Sequence, residues 1–591
     1  MKSFFIFSLV VLTTMLQLEG KAQDFSSLMD GYNAYNRFWG NIIILQRDKV
    51  LFQNSYGFAD KENGVKNDAT TLFNLASVTK TMTSAAIMQL HDQGKLSIYD
   101  RVDKYFPGFI ADDTKDIKII NLLNHTSGLS ANIFQSDEQG NGLVLPEKNP
   151  ITMDSLISKF RHTKLKFQPG TRFEYNNYAY TLLAYIIEQV SGRSYANYLQ
   201  NELFLKANMQ NTFYKPDLKA EPALAYSGIG TSNIQAVANA DYHSSWIMGA
   251  GDMYSTTTDL AIFYKALFSN QFFSEKSKYL MFDTCVEASS PGLKWALGWS
   301  KFQLDDLICY SHSGNDNGCS TKIMYIPSEN IYIIILSNLS RDIKNESLNG
   351  AKFSFVEDIS DQVVKLIQNK EVSYLPIPKG KASKKISGDY KLDDTHNLKI
   401  MYQNDSLFLS IDQVTLFDYT LHKSIQEDSE KVSVCRSFSA AIISGEFEGF
   451  EKNVTPEMQT QLFNKETIGR LVGGWGNLAS HSGKYQSYTI YRVSSEPGNT
   501  SYSIAYHFEK SDFLMVLAFN DSGLMQGLFI TNVLPKCAVS KVNMLPVGDN
   551  KYFVDGYSYG GFKDYLVDFD KSIGKLSLKA DNEEFSAVKI D

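Results

Sequence analysis

The apolar positions of the chain switch between two periods. Gly40–Gln46 and Val50–Tyr56 are short β-branched and aromatic runs joined by the polar turn Arg47–Lys49, which predicts a strand pair. From Ser77 to Gln93 the spacing becomes helical, with Met82, Ala85, Ala86, Ile87, Met88 and Leu90 apolar and Gly94 as the stop. A second helix is predicted from Tyr178 to Val190, ending near Gly192. Leu307–Tyr310, Lys322–Ile326 and Ile331–Leu336 read as strands, and Phe355–Ile367 as a helix. Strands at both ends of one segment, with helices between, predict one sheet split by a helical insertion.

Beyond this region the pattern changes. Pro376, Pro378, Gly380 and the lysines 379, 381, 384 and 385 predict a linker over 369–384. Leu398–Tyr402 and Ser406–Ile411 alternate like half-buried strands, and 430–480 returns to helical spacing. Four further strands are expected at Tyr485–Val493, Tyr502–Phe508, Phe513–Phe519 and Met525–Thr531, and the last 50 residues are strand-like and aromatic. Helices followed by four strands over 431–533, with Gly445-Glu446-Phe447 and Trp475, resemble the small α+β cone of nuclear-transport-factor-like modules. The flanking segments 385–430 and 534–591 are expected to form one small barrel that the cone interrupts. No solenoid repeat is present.

Length fits this division, since 591 residues exceed what one core organises. Hydrophobic residues at 43% and charged residues at 21% describe an ordinary folded protein. A net charge of −8, with no basic stripe, gives no electrostatic reason to expect nucleic acid as a partner. Lys2, the apolar stretch Phe4–Leu16, and small residues Gly20 and Ala22 before Gln23 predict a signal peptide over 1–22 and an exported protein, periplasmic or extracellular. No Cys near that cut argues for a lipid anchor, and Ile331–Leu336 is too short to span a bilayer. Five sparse cysteines imply no disulfide framework. Cys309 and Cys319 would meet only if the segment between them is a hairpin. No cysteine pairs with histidine at zinc-ligand spacing, so no metal or other cofactor is expected.

The chemistry-bearing candidates are three short motifs. Ser77-Val78-Thr79-Lys80 puts a lysine one helical turn from a serine, where it reaches the hydroxyl. Such a lysine activates the serine only if burial or positive neighbours lower its pKa. Alone the motif is weak, and it recurs at Ser572–Lys575. Tyr175-Asn176-Asn177, after Pro169-Gly170-Thr171, offers a tyrosine that loses its proton more easily beside a lysine, and an amide in Asn177. Its bland alternative is a turn into the following helix. His312-Ser313-Gly314 ends a strand, where Gly314 permits a close approach and a substrate backbone can pair alongside. A second His-Ser-Gly, at 481–483, reads as a helix-to-strand connection. Gly556-Tyr557-Ser558-Tyr559-Gly560 fits the nucleophile-elbow pattern, yet no His follows His507 and no helix is predicted beside it. His125 reads as structural rather than as a base.

In this order, the three motifs resemble the active-site motifs of serine β-lactamases and penicillin-binding proteins. The Tyr-x-Asn form is similar to class C β-lactamases, DD-peptidases, D-aminopeptidases and family VIII carboxylesterases. Leu123–Leu129, Pro169–Phe173, the Gly249–Leu260 stretch with Ser255-Thr256, and Gly298-Trp299 resemble flanking pieces of the family, and the likeness covers roughly residues 30–368. It implies a β-lactamase-like α/β (α+β) fold over 23–368: an antiparallel sheet with helices on both faces and a helical subdomain. A β-rich C-terminal region with the inserted α+β cone would follow. It also implies a Ser77 acyl-enzyme, with Lys80 and Tyr175 sharing the proton work and Tyr175 the base of deacylation. The oxyanion would lie between the backbone N–H groups of Ser77 and Asn315, with Asn177, His312, Ser313 and Gly314 around the substrate. One departure matters: His312 stands where β-lactamases usually carry lysine. A histidine is cationic only below a pKa near 6.5, so its hold on a carboxylate is weak at neutral pH. That points to a small peptide, amide or ester as substrate, cell-wall fragments included, rather than to a dedicated β-lactam. The rival reading is a peptide- or peptidoglycan-binding protein that has lost turnover. The intact Ser77, Lys80, Tyr175 and Asn177 set argues against it.

Overall fold

The apolar run Ile331–Leu336 lies in the middle of an eight-stranded antiparallel sheet. The computed structural model describes residues 23–47, 49–106, 116–130, 150–161, 164–229, 233–237, 243–288, 292–342, 352–353, 355–392, 397–403, 406–411, 430–462, 465–482, 484–496, 499–509, 511–535, 542–554, 565–570, 574–580 and 583–590. In the main they form two units, one up to Leu375 and one from Pro376 onward.

The sheet of the first unit contains β1 (Gly40–Gln46), β2 (Lys49–Tyr56), β3 (Val286–Glu287), β4 (Lys294–Trp295), β5 (Ser300–Leu304), β6 (Leu307–Asp316), β7 (Cys319–Ile326) and β8 (Ile331–Ser337). Its spatial order is β3-β4-β5-β6-β7-β8-β1-β2. Alternate side chains of an inner strand enter opposite faces, and here both faces are covered. Ile331, Ile333 and Ile335 join Ile42 and Ile44 in one core, under α1 (23–34) and the helix Phe355–Ile367. Ile334 and Leu336 join Ile43 and Leu45 in the other, under α2 (Thr79–Asp92), α3 (Asn177–Ser191) and α4 (Thr257–Phe268). A run that is apolar at every position is what two-sided burial requires. Each such isoleucine contributes about 1.5–3 kcal/mol.

Helix α2 is wrapped on all sides, with every residue from Thr79 to Leu90 buried. Small residues make that possible, and their hydroxyls are satisfied inside the core. Thr81 pairs with the Tyr264 hydroxyl (2.9 Å), Thr83 with Tyr195 (2.7 Å) and Ser84 with Tyr180 (3.2 Å). Ser77 and Lys80 therefore sit at the start of a helix that is buried on every side and tied by hydrogen bonds to its neighbours.

Cys309 and Cys319 are both free. The β6–β7 hairpin does form, but Asp316 faces Cys319 and Tyr310 faces Tyr325, so the two sulfurs lie near opposite ends of the ladder. Cys537, Ser572 and the 556–560 pattern lie outside the described residues. Within 369–384, Val372 and Leu375 pack on the first unit's core, and the Lys379 N–H donates to the Pro546 carbonyl. Among the described residues no helix is long and apolar enough to cross a membrane.

The second unit is a closed antiparallel barrel with an α+β insertion. The strands Gly388–Lys391, Asn397–Gln403 and Ser406–Ile411 are joined in the barrel by five later ones, from Val542–Gly548 to Glu583–Lys589. Between Ile411 and Val542 lie the helices Glu430–Ser444, Pro456–Leu462 and Lys465–Ser482, then a four-stranded sheet over 485–535. Barrel and insertion each own a core, the first around Tyr390, Leu398 and Leu576, the second around Phe438, Phe447, Tyr506 and Trp475.

Candidate active site

Ser77 lies in a single 3-10 turn, Ala76–Val78, that leads into α2. Ala76 is left-handed at φ 44°, a conformation costing a side-chain-bearing residue about 1–3 kcal/mol. It is held there from both sides. The Ala76 N–H donates to Asn74 Oδ1 (2.8 Å), and the Leu75 N–H donates to the Met253 carbonyl (2.9 Å). The turn leaves Ser77 half-buried, with its own N–H at a helix start where no helical carbonyl can accept it.

Lys80 is fully buried one turn later. Its Nζ is 3.0 Å from Ser77 Oγ and donates to the Ala250 carbonyl at 2.7 Å, with the Tyr175 and Tyr180 rings 5.0 and 5.6 Å away. Burial pushes the ammonium well below the ordinary lysine range, against the opposing pull of Asp252. A neutral amine that gives one N–H to Ala250 still has a lone pair to receive the Ser77 proton.

The flanking sequence pieces explain how Tyr175 reaches the same point. The segment after the helix Ile119–Leu123 runs beside 166–174, with Lys166 N–H donating to Gly128 O, Gly170 N–H to Thr126 O and Glu174 N–H to His125 O. Gly128 is left-handed, and a Cβ there would come within 2.2 Å of the Phe167 carbonyl. His125 Nδ1 accepts the Asn176 N–H at 3.1 Å, and its ring packs on that of Tyr175 at 4.3 Å. Asn176 caps α3 by accepting the Ala179 N–H and donates to the Leu129 carbonyl. The Tyr175 hydroxyl is thereby brought into a hydrogen bond with Ser77. Asn177, at the first position of α3, is exposed with no side-chain partner among the described residues.

The third motif arrives on β6. Its neighbour β5 pairs only with Leu307–Ser311, so 312–316 have one open edge. Ser311 turns its carbonyl toward β5, accepting from Ser300 Oγ, while Gly314 turns its own toward β7, accepting from Thr321 Oγ1. Backbone alternation then aims the N–H of Asn315 along the open edge. A Cβ on Gly314 would lie 2.4 Å from the Leu75 carbonyl and 3.0 Å from Ser77 N, which measures how closely the strand and the nucleophile turn touch. β6 thus meets the nucleophile turn at the Ser77 N–H, and the Asn315 N–H is the next donor along its open edge.

The profile of the Beta-lactamase family matches residues 25–351. The chain belongs to this family. Penicillin-binding protein 4* of Bacillus subtilis is 26% identical over 417 residues, covering 66% of this chain and 88% of that one. Two solved structures share the fold. The D-amino acid amidase of Ochrobactrum anthropi has a TM-score of 0.50 and 21% identity, covering 60% of this chain and 99% of its own. The octameric penicillin-binding protein homologue of Pyrococcus abyssi has a TM-score of 0.51 and 18% identity, covering 88% of this chain and 99% of its own. The protein is thus a serine hydrolase of the β-lactamase and penicillin-binding-protein superfamily.

Two particulars of this family member, at Tyr175 and Ser313, differ from what its motifs alone imply. Burial raises the Tyr175 phenol pKa, overriding the hydrogen bond from Ser77 that lowers it, so Tyr175 keeps its proton. A neighbouring lysine eases proton loss only while charged, and Lys80 is driven toward neutrality. The Ser313 hydroxyl turns away from Ser77 because successive residues of a strand face opposite ways. It donates to Glu357 and accepts from Lys322 Nζ (3.3 Å), and Lys322 pairs with Glu357 in turn. Asn315 directs its side chain to Ser320, whose hydroxyl donates to Oδ1 at 2.7 Å, leaving its backbone as the group near the site. Residues outside the three motifs also line the centre: Ala250 through its carbonyl, and Trp295, whose ring lies 5.2 Å from His125 and 5.4 Å from His312.

His312 is buried and neutral. Burial, with Lys80 beside it, pushes its pKa down to about 3, despite the Ser313 carbonyl 2.8 Å from Nδ1. That carbonyl can only accept, so Nδ1 carries the proton and Nε2 presents a lone pair. Between pH 6.5 and 3 the unfolded chain binds a proton that the folded site refuses, so stability falls as pH falls through this window. The slope is about 1.4 kcal/mol per pH unit from His312, and buried His125, shifted the same way, adds to it. Unfolding of the parent and His312→Gln between pH 7 and 5 tests this. The variant should lose about 2 kcal/mol less over the interval, and parallel curves would place the acid sensitivity elsewhere.

Proposed function

We propose that this chain is an exported hydrolase that transfers acyl groups through Ser77, acting on an uncharged amide, peptide or ester carbonyl rather than chiefly on β-lactams. The observation that carries the reading is the buried, deprotonation-prone Lys80 amine at 3.0 Å from Ser77 Oγ. Ser77 Oγ attacks the carbonyl carbon and its proton passes to Lys80 Nζ. The oxyanion is held by the N–H groups of Ser77 and Asn315. As the tetrahedral intermediate collapses, the leaving nitrogen or oxygen takes a proton from Tyr175, which Lys80 restores through the hydrogen-bonded chain. Water then attacks the Ser77 ester, losing its proton to the Lys80–Tyr175 pair; as the C–Oγ bond breaks, that pair returns the proton to Ser77 Oγ and the acid departs. Asn177 is free to hold the substrate amide.

The substrate preference rests on His312. Being neutral, it does not supply the fixed cation that would draw a β-lactam carboxylate. Export rests on the Lys2 and Phe4–Leu16 pattern. The test is a panel of p-nitrophenyl esters, D-amino-acid amides, cell-wall muropeptides and nitrocefin. We expect turnover of an ester or amide at least tenfold above that of nitrocefin. Nitrocefin outrunning every other substrate would overturn the preference, and labelling of the chain by neither a fluorophosphonate nor a fluorescent penicillin would favour a pure binding role.

A further inference from the structure

We infer that Asn74 and Asp316 are positioning residues for the oxyanion. Their side chains tie the nucleophile turn to the end of β6 and so fix the Ser77 and Asn315 N–H groups relative to each other. The role rests on the acyl-transfer reading given above, and neither residue belongs to the three motifs.

Asn74 ends the short strand Phe73–Asn74, which pairs with Met253–Ser255 just before the chain enters the turn of Ser77. Its Oδ1 accepts the Ala76 N–H at 2.8 Å, and its Nδ2 donates to Asp316 Oδ2 at 3.2 Å. A backbone N–H can only donate and a carboxylate can only accept. Residue 74 therefore needs an acceptor and a donor on one short side chain, and asparagine carries them on separate atoms. Asp316 is engaged on both oxygens, since its Oδ1 accepts the Asn317 N–H at 2.8 Å where β6 turns toward β7.

The two ends of this chain of bonds lie beside the two donors. Ala76, held left-handed, immediately precedes Ser77, and Asp316 immediately follows Asn315. The tie thus stops one residue from each N–H, although its own partners are 242 positions apart in the chain. The bond from Thr321 Oγ1 to the Leu75 carbonyl, at 2.9 Å, steadies the same turn from β7, whereas Asn74 reaches β6 itself. Spacing matters here because an oxyanion donor acts only when it is already aimed at the developing charge, and losing one costs about 10²–10³-fold in rate.

The test exchanges the two groups. In Asn74→Asp a carboxylate faces a carboxylate, so the tie breaks while an acceptor for the Ala76 N–H remains. In Asp316→Asn one acceptor has become a donor, so the side chain can serve Asn74 or Asn317 but not both. The double variant Asn74→Asp/Asp316→Asn rebuilds every bond with one of them reversed in direction. We would measure the limiting rate and half-saturating concentration of Ser77 labelling by a fluorophosphonate in the full chain, with thermal unfolding alongside. The limiting rate should fall about tenfold or more in Asn74→Asp, with half-saturation within about threefold of the parent. In the double variant it should return to within about threefold of the parent. A double variant whose rate stays about tenfold down overturns the role, even if stability returns, because the bond would then hold the fold and not the donors. An unchanged rate in Asn74→Asp overturns it as well. If Asn74→Asp does not fold, the double variant decides alone: a parent-like rate supports the role, and a lowered rate or no folded protein overturns it. Failure of the parent to label at Ser77 shows itself before any substitution; it removes the nucleophile, and the positioning role falls with it.

Discussion

Ser77→Ala is expected to lower turnover of the best ester or amide substrate by about 10⁴-fold or more, while leaving thermal unfolding within a few degrees of the parent. The size follows from the role. When the attacking atom is removed, what remains is binding and the backbone oxyanion donors, and in serine hydrolases these account for only a small part of the acceleration. The preserved fold follows from the contacts. Ser77 Oγ is bonded to Lys80 and Tyr175, and both keep other partners or packing: Ala250 for the lysine, the His125 ring for the tyrosine. Lys80→Met should lose nearly as much activity, and the double variant little more than either, because nucleophile and base act as one unit. Steady-state kinetics on the purified chain, checked by intact-mass detection of the acyl-enzyme, measures this. Turnover by Ser77→Ala within tenfold of the parent would put the nucleophile elsewhere.

What the sequence disclosed, and what it withheld, divides along a physical line. Local periodicity predicts the elements well. The unbroken run Ile331–Leu336 marks a strand buried on both faces, and the run after Ser77 marks a helix. The order of the motifs carries the family, and through it the meeting of Ser77, Lys80 and Tyr175. Contacts made by main chain carry no residue signature, however. The Ala250 carbonyl that holds Lys80, the Asn315 N–H on an open strand edge and the left-handed turn at Ala76 leave no trace in residue type. Electrostatics is lost in the same way. Tyr175 beside Lys80 reads as an easily deprotonated pair, and only the extent of burial shows that both favour their neutral forms. Ser313 is the converse: chemically suitable, but on the wrong face of its strand for the hydroxyl to reach Ser77.

That strand supplies the second large expectation, at Gly314. An added methyl would lie 2.4 Å from the Leu75 carbonyl, 2.4 Å from Thr321 Oγ1 and 3.0 Å from Ser77 N. None of these can step aside cheaply. Leu75 belongs to the turn that strains Ala76, and Thr321 Oγ1 is itself bonded to the Leu75 carbonyl at 2.9 Å. Gly314→Ala must therefore push β6 away from the nucleophile turn, at an overpacking cost of about 1–3 kcal/mol. The displacement falls on the two backbone donors that face the oxyanion, where loss of one such interaction costs about 10²–10³-fold in kcat. We expect turnover to fall by at least that factor with substrate binding less affected, because the donors matter most once charge has developed on the oxygen. Ser77 labelling by a fluorophosphonate should slow in parallel, since that reaction builds charge at the same place. If Gly314→Ala destabilises the chain as expected but leaves kcat unchanged, strand and nucleophile are not coupled in this way, and the oxyanion donors must be sought outside β6.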